Sequence, residues 1–163
     1  MRMPFVLSLC AVLFTAPMSG QDAILRVYAD QKQQTHVVLK NGKTMVVAGE
    51  RGQVGIDSIQ ITEDGQTAGW LVLYPDPDSS SPFAGTLVLW RSGKVVRRFE
   101  ADQTFWSWAF YANAQQVAYH VGPTHGAAPH CELHDIESGR LLASWDGELD
   151  DANRPAWTKG LEH

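Results

Sequence analysis

From Ile24 onward the chain alternates short apolar runs with turn-forming clusters, and within the runs apolar and polar residues alternate with period two. Trp106, Trp108 and Phe110 fall on one face of such a run, with Ser107 and Ala109 on the other. Val117, Tyr119 and Val121 likewise oppose Ala118 and His120. That period, in residues rich in Trp, Tyr, Val and Leu, is what a pleated, half-buried surface selects. It predicts strands over 35–39, 44–47, 58–62, 70–74, 86–90, 95–99, 106–111, 117–121, 131–136 and 141–145. Asn41-Gly42, Asp64-Gly65 and Ser92-Gly93 stand between pairs of these runs. Asn-Gly between apolar runs is a strong hairpin signal, because both turn positions tolerate positive φ. Only a turn near 148–152 has helical character. The expected fold is all-β.

The runs also repeat. Ser58-Ile59-Gln60-Ile61 aligns with Ser107-Trp108-Ala109-Phe110, and Gln66 to Trp70 with Gln115 to Tyr119, both at an offset of 49. Ser92-Gly93-Lys94 aligns with Ser138-Gly139-Arg140 at an offset of 46. A fixed period of this length is the signature of a repeat architecture. Each unit has an apolar strand, a tight turn, a long aromatic strand, a variable loop and a strand–Ser-Gly–strand hairpin. The units fall at 57–99 and 105–145, preceded by a partial unit at 24–48.

These units resemble the blades of β-propellers. Leu87 to Val96 (LVLWRSGKVV) and Leu133 to Leu142 (LHDIESGRLL) are similar to the outer hairpins of WD-repeat blades, and Ile61 to Leu71 (ITEDGQTAGWL) to blades of TolB-type periplasmic propellers. The Gly-His dipeptide that precedes WD blades is absent. As a whole the chain resembles small exported bacterial proteins of this repeat type, which implies a fold and no activity. Two four-stranded blades and a partial one do not close a ring, since propellers use about four to eight. The expected architecture is therefore an open stack or sandwich, or a ring completed by oligomerisation.

Composition narrows the class. Apolar residues at 44% and charged residues at 19% exclude a disordered chain, and a net charge of −5 argues against nucleic-acid or anionic-membrane partners. Met1-Arg2 followed by the apolar run Phe5–Phe14 reads as a signal peptide over 1–20, too short to span a bilayer. Leu9 before Cys10 is too large for a lipoprotein signal, so no anchor is expected. Export leaves Cys131 as the sole cysteine, expected to be a buried thiol. The domain is expected over 21–157, and 158–163, ending Leu161-Glu162-His163, reads as a cloning-derived tail without function.

One segment gathers candidate chemistry. Four of the six histidines, His120, His125, His130 and His134, lie within fifteen residues, with Cys131 and Glu132 among them. On a strand, His130, Glu132 and His134 share one face and Cys131 and Leu133 the other, and positions two apart are about 6.6 Å apart. Such side chains, with His120 and His125 on the neighbouring strand and loop, suit zinc, nickel or copper. The competing reading is an ordinary solvent-facing strand, since no His-Glu-x-x-His spacing is present. Asp76, Asp78 and Ser80 alternate as in calcium loops, but Ser81 stands where glycine is needed and Leu87 where glutamate is. The aromatics Trp70, Tyr74, Trp90, Trp106, Trp108, Tyr119 and Trp145 suit either a sugar platform or a core, and core is the commoner use. No catalytic residue and no cofactor motif is nominated. The reading is an exported binding or interaction module for a protein or small molecule; the alternatives are a metal-binding protein or small metal-dependent enzyme using the histidine hairpin, and an envelope structural component.

Overall fold

A computed structural model describes residues 22–123, 130–147 and 152–161. The expected signal segment, with Cys10, and His125 lie outside these residues. Among the described residues, eleven strands form three antiparallel sheets, each a simple up-and-down meander. The first sheet is β1 (Ile24–Ala29), β2 (Thr35–Leu39) and β3 (Thr44–Val47). The second is β4 (Gly55–Ile61), β5 (Thr67–Tyr74), β6 (Phe83–Arg91) and β7 (Lys94–Glu100). The third is β8 (Thr104–Tyr111), β9 (Gln116–Gly122), β10 (His130–Asp135) and β11 (Leu141–Asp146). The protein is all-β, with a partial sheet followed by two four-stranded ones.

The sheets stack face to face, which is why β5 and β6 are buried along nearly their whole length. Trp70, Val72, Val88 and Trp90 face the first sheet and meet Ile24, Val27, Val37 and Leu39. Leu71, Leu87 and Leu89 face the third and meet Phe105, Trp108, Val117 and Tyr119. Apolar residues on both faces of a central strand produce a continuous hydrophobic run rather than alternation. Both cores exclude water from bulky aromatic side chains, the dominant stabilising contribution in such a stack.

The repeat recurs in the ladders. Ile56 pairs with Val72 and Ile61 with Ala68; forty-nine residues on, Phe105 pairs with Val121 and Phe110 with Val117. Between those pairs each ladder carries one extra residue, a bulge within 57–60 in β4 and within 105–107 in β8. The second bulge corrects an expectation. An inserted residue reverses the side-chain parity of everything beyond it. Phe105 therefore joins Trp108 and Phe110 in the core, while Trp106 is turned out, 38% exposed, its indole N–H donating to Gly122 O at 3.2 Å. The two Ser-Gly hairpins also differ. Ser92 and Gly93 both have positive φ, 52° and 86°, as a two-residue turn requires. The Ser138-Gly139 turn is wider: Asp135 N donates to Arg140 O, and the Asp135 carboxylate accepts from Ser138 N and Oγ.

The two ends of the stack differ. The outer face of the third sheet is covered by a 3-10 helix, Ala156–Leu161, whose Leu161 packs with Ala118, Cys131 and Leu133. Thr158 and Leu161, assigned to the tail from sequence, are 0% exposed and belong to the fold. Among the described residues the outer face of the first sheet has no such cover, and Leu25, Val46 and Tyr28 stand exposed there or at its edge. Among the described residues no helix is long and apolar enough to cross a membrane.

Candidate functional site

The histidine hairpin is built on β10. In its ladder His130 lies opposite Val121 and Asp146, Glu132 opposite Tyr119 and Ser144, and His134 opposite Val117 and Leu141. Alternation places His130, Glu132 and His134 on one face, and Cys131 and Leu133 pack on the other. The face is not the solvent face, however. It looks toward the second sheet, so His134 is only 9% exposed, its ring 4.8 Å from that of Phe99 and stacked on Tyr119 at 5.2 Å.

A hydrogen-bonded chain joins these groups across three strands. Glu132 is its centre. Its Oε2 accepts from the Tyr119 hydroxyl at 2.5 Å and lies 2.7 Å from His134 Nε2, and its Oε1 lies 3.0 Å from His130 Nε2. The other ring nitrogens are engaged too: His134 Nδ1 is 3.1 Å from Gly139 O, and His130 Nδ1 is 2.6 Å from Asp146 Oδ1. From sequence Tyr119 counts only among the aromatics, and Asp146 is not singled out. Tyr119 could have been found from its place on the neighbouring strand; Asp146 needed the register of β11.

The electrostatics follow from these contacts. Burial by itself raises the Glu132 carboxyl, but hydrogen bonds from Tyr119, His134 and His130 outweigh it and hold the group below the usual carboxylate range. Burial, and then the adjacent Glu132 charge, push the Tyr119 phenol well above its ordinary value. Asp146, and secondarily Glu132, raise His130 against a smaller desolvation penalty. Burial pushes the Cys131 thiol up to about 11, which keeps it protonated near neutral pH while it is buried.

His120 does not join this chain. It lies opposite Cys131 and Ser107, which puts it on the reverse face of the sheet. His130 and His134 both direct Nε2 at Glu132, which stands between them as a shared acceptor. Among the described residues no group of three or more His, Cys, Asp or Glu is arranged to hold a metal ion. Asp76 of the calcium-like loop spends Oδ1 on the Asp78 backbone N–H at 2.9 Å. Trp70, Trp90 and Trp108 are core, at 1–2% exposure. His36, given no role from sequence, lies 2.9 Å from Asp30 and stacks on Tyr28 at 4.9 Å.

The described geometry defines a class, an antiparallel three-sheet stack with a polar chain that runs from one sheet interface out to the surface. No protein-family model matches the chain, and no curated protein does. Among solved structures it is similar to Kuenenia stuttgartiensis hydrazine synthase, at 10% identity and a TM-score of 0.38, over 84% of this chain. The match spans 53% of that structure, about half its length, and a likeness this slight carries no argument.

Tyr119→Phe tests the chain. The substitution leaves the half-buried Glu132 without its hydroxyl donor, and loss of a hydrogen bond to a charged group costs about 1.5–3 kcal/mol. Urea denaturation at pH 7 should show that loss with an unchanged m-value. The lowered Glu132 carboxyl stabilises the fold above its unfolded value of 4.5, and that contribution disappears as pH falls through the folded one. The Tyr119→Phe difference should therefore shrink in acid.

Proposed function

We propose that this protein is an exported binding or protein-interaction module built from propeller-type blades, related to the WD-repeat and TolB-type pattern. The reading rests on one observation: among the described residues the second and third sheets each have four strands and two covered faces, while the first has three strands and an uncovered outer face. That face carries Tyr28 stacked on His36, with the Arg26 guanidinium 5.1 Å from the Tyr28 ring centre and Val46 alongside His36 in the ladder. Exposed apolar and aromatic side chains on an unfinished sheet are a docking surface for another sheet. Its partner is a β-rich polypeptide, a second copy of this chain or another exported protein.

Sedimentation velocity of the chain beginning at Gln21, with and without Val46→Lys, tests the self-association arm. Concentration-dependent association is expected for the parent and not for the variant, with equal thermal midpoints for both. Equal behaviour of the two proteins at every concentration would count against this face. Fractionation of a native host should recover the product outside the cytoplasm.

A further inference from the structure

Both ring nitrogens of His130 face carboxylate oxygens: Nδ1 is 2.6 Å from Asp146 Oδ1 and Nε2 is 3.0 Å from Glu132 Oε1. An ionised carboxylate only accepts hydrogen bonds, and a neutral imidazole has a single N–H. A neutral His130 can satisfy one of these partners and must present a lone pair to the other. The geometry is complete only with an imidazolium.

We propose that Asp146, His130 and Glu132 form a proton-operated latch that pins the end of the edge strand β11 to β10 while His130 is charged and loosens it when His130 is neutral. The two contacts are unequal, which decides where the latch opens. Glu132 is 24% exposed in its side chain and is also held by Tyr119 and His134; Asp146 is 76% exposed and has no other side-chain partner among the described residues. Asp146 is the one that lets go. It forms the last pair of the β10–β11 ladder, next to the pair Cys131–Trp145, so fraying there starts at the strand end and reaches the backbone over Cys131. An edge strand paired on one side only is the least costly part of a sheet to open.

Among the described residues the titratable groups that surround the latch are few. Asp146 comes from β11, Glu132 and His134 from β10 and Tyr119 from β9, with Cys131 on the reverse face of β10; the second sheet packs the uncharged ring of Phe99 against His134 and Tyr119. The sign is fixed by His130, which its carboxylate neighbours raise above 6.5. A raised histidine stabilises the fold fully below its unfolded value and loses that contribution as pH climbs through the folded one. The latch is closed in mild acid and opens toward alkaline pH.

Hydrogen exchange on the full chain, with Cys10→Ser so that Cys131 is the sole thiol, tests this. Amide protection over 143–146 should fall roughly tenfold from pH 5.5 to pH 8.5 relative to amides of β5 and β6, which correct for intrinsic rates and global opening. Asp146→Asn should give the low protection at both pH values, and His130→Arg, charged throughout, the high protection at both. At pH 8.5 a maleimide should label Cys131 faster in the parent than in His130→Arg, even though the added positive charge by itself favours the thiolate and works against that difference. The proposal is overturned if parent protection over 143–146 tracks that of β5 and β6 at both pH values. It is equally overturned if Asp146→Asn keeps the full pH dependence, or if His130→Arg labels as fast as the parent.

Discussion

Trp108→Ala should destabilise the protein by about 3–5 kcal/mol, the range for removing a buried tryptophan. Trp108 is 2% exposed, projects from β8 into the interface with the second sheet, and packs edge-to-face on Phe110 at 5.0 Å. Its indole N–H donates to Ser58 O at 2.9 Å, and its own carbonyl accepts from Gln60 Nε2 at 2.5 Å, so it ties the two bulged strands β4 and β8 together. The space it fills is reserved on the other side. A Cβ at Gly69 would lie 2.5 Å from the Trp108 ring and 2.7 Å from Leu89, both well inside contact distance and both buried. Gly69→Ala should accordingly cost about 1–3 kcal/mol through overpacking. Trp108→Phe should lie between parent and Trp108→Ala, because it restores apolar volume but leaves Ser58 O without its donor. Urea midpoints followed by circular dichroism check all three. A Trp108→Ala midpoint within error of the parent would mean that the second and third sheets do not depend on this contact.

The second large effect is expected from Leu161→Ala, at about 2–5 kcal/mol. Leu161 is 0% exposed and fills the space over Ala118, Cys131 and Leu133, and its carbonyl accepts the Ser107 hydroxyl at 2.8 Å. Ending the chain at Gly147 should be worse still, since it uncovers that whole face and leaves Ser107 without an acceptor. A chain ending at 147 that melts with the parent would return the segment to the status of an appendage. Leu161→Met, which keeps most of the volume, should cost under about 1.5 kcal/mol, separating packing from any effect of chain length.

Much of this architecture is written in local pattern. Alternation at 106–111, 117–121 and 131–136 located three of the four strands of the third sheet, because period two is a property of the pleat and needs no partner to be visible. The offset of 49 survives as equivalent ladder pairs, Ile56 with Val72 and Phe105 with Val121, because turns of equal length join the strands and the same face is buried in each unit. The same alternation put His130, Glu132 and His134 together.

Other features were decided only by the stack. Which side of β10 is covered depends on the second sheet lying against it, and a row of polar side chains reads identically whether it faces water or Phe99. Trp106 lost its expected face to a bulge, an insertion that alters parity without altering composition. Asp146 reached His130 through a register set by β11, and Leu161 became core because the third sheet needed a cover for Cys131 and Leu133. Sequence by itself determined which residues share a strand face; tertiary structure decided which faces are buried, because burial belongs to the pair of surfaces that meet and the chain records only one of them at a time.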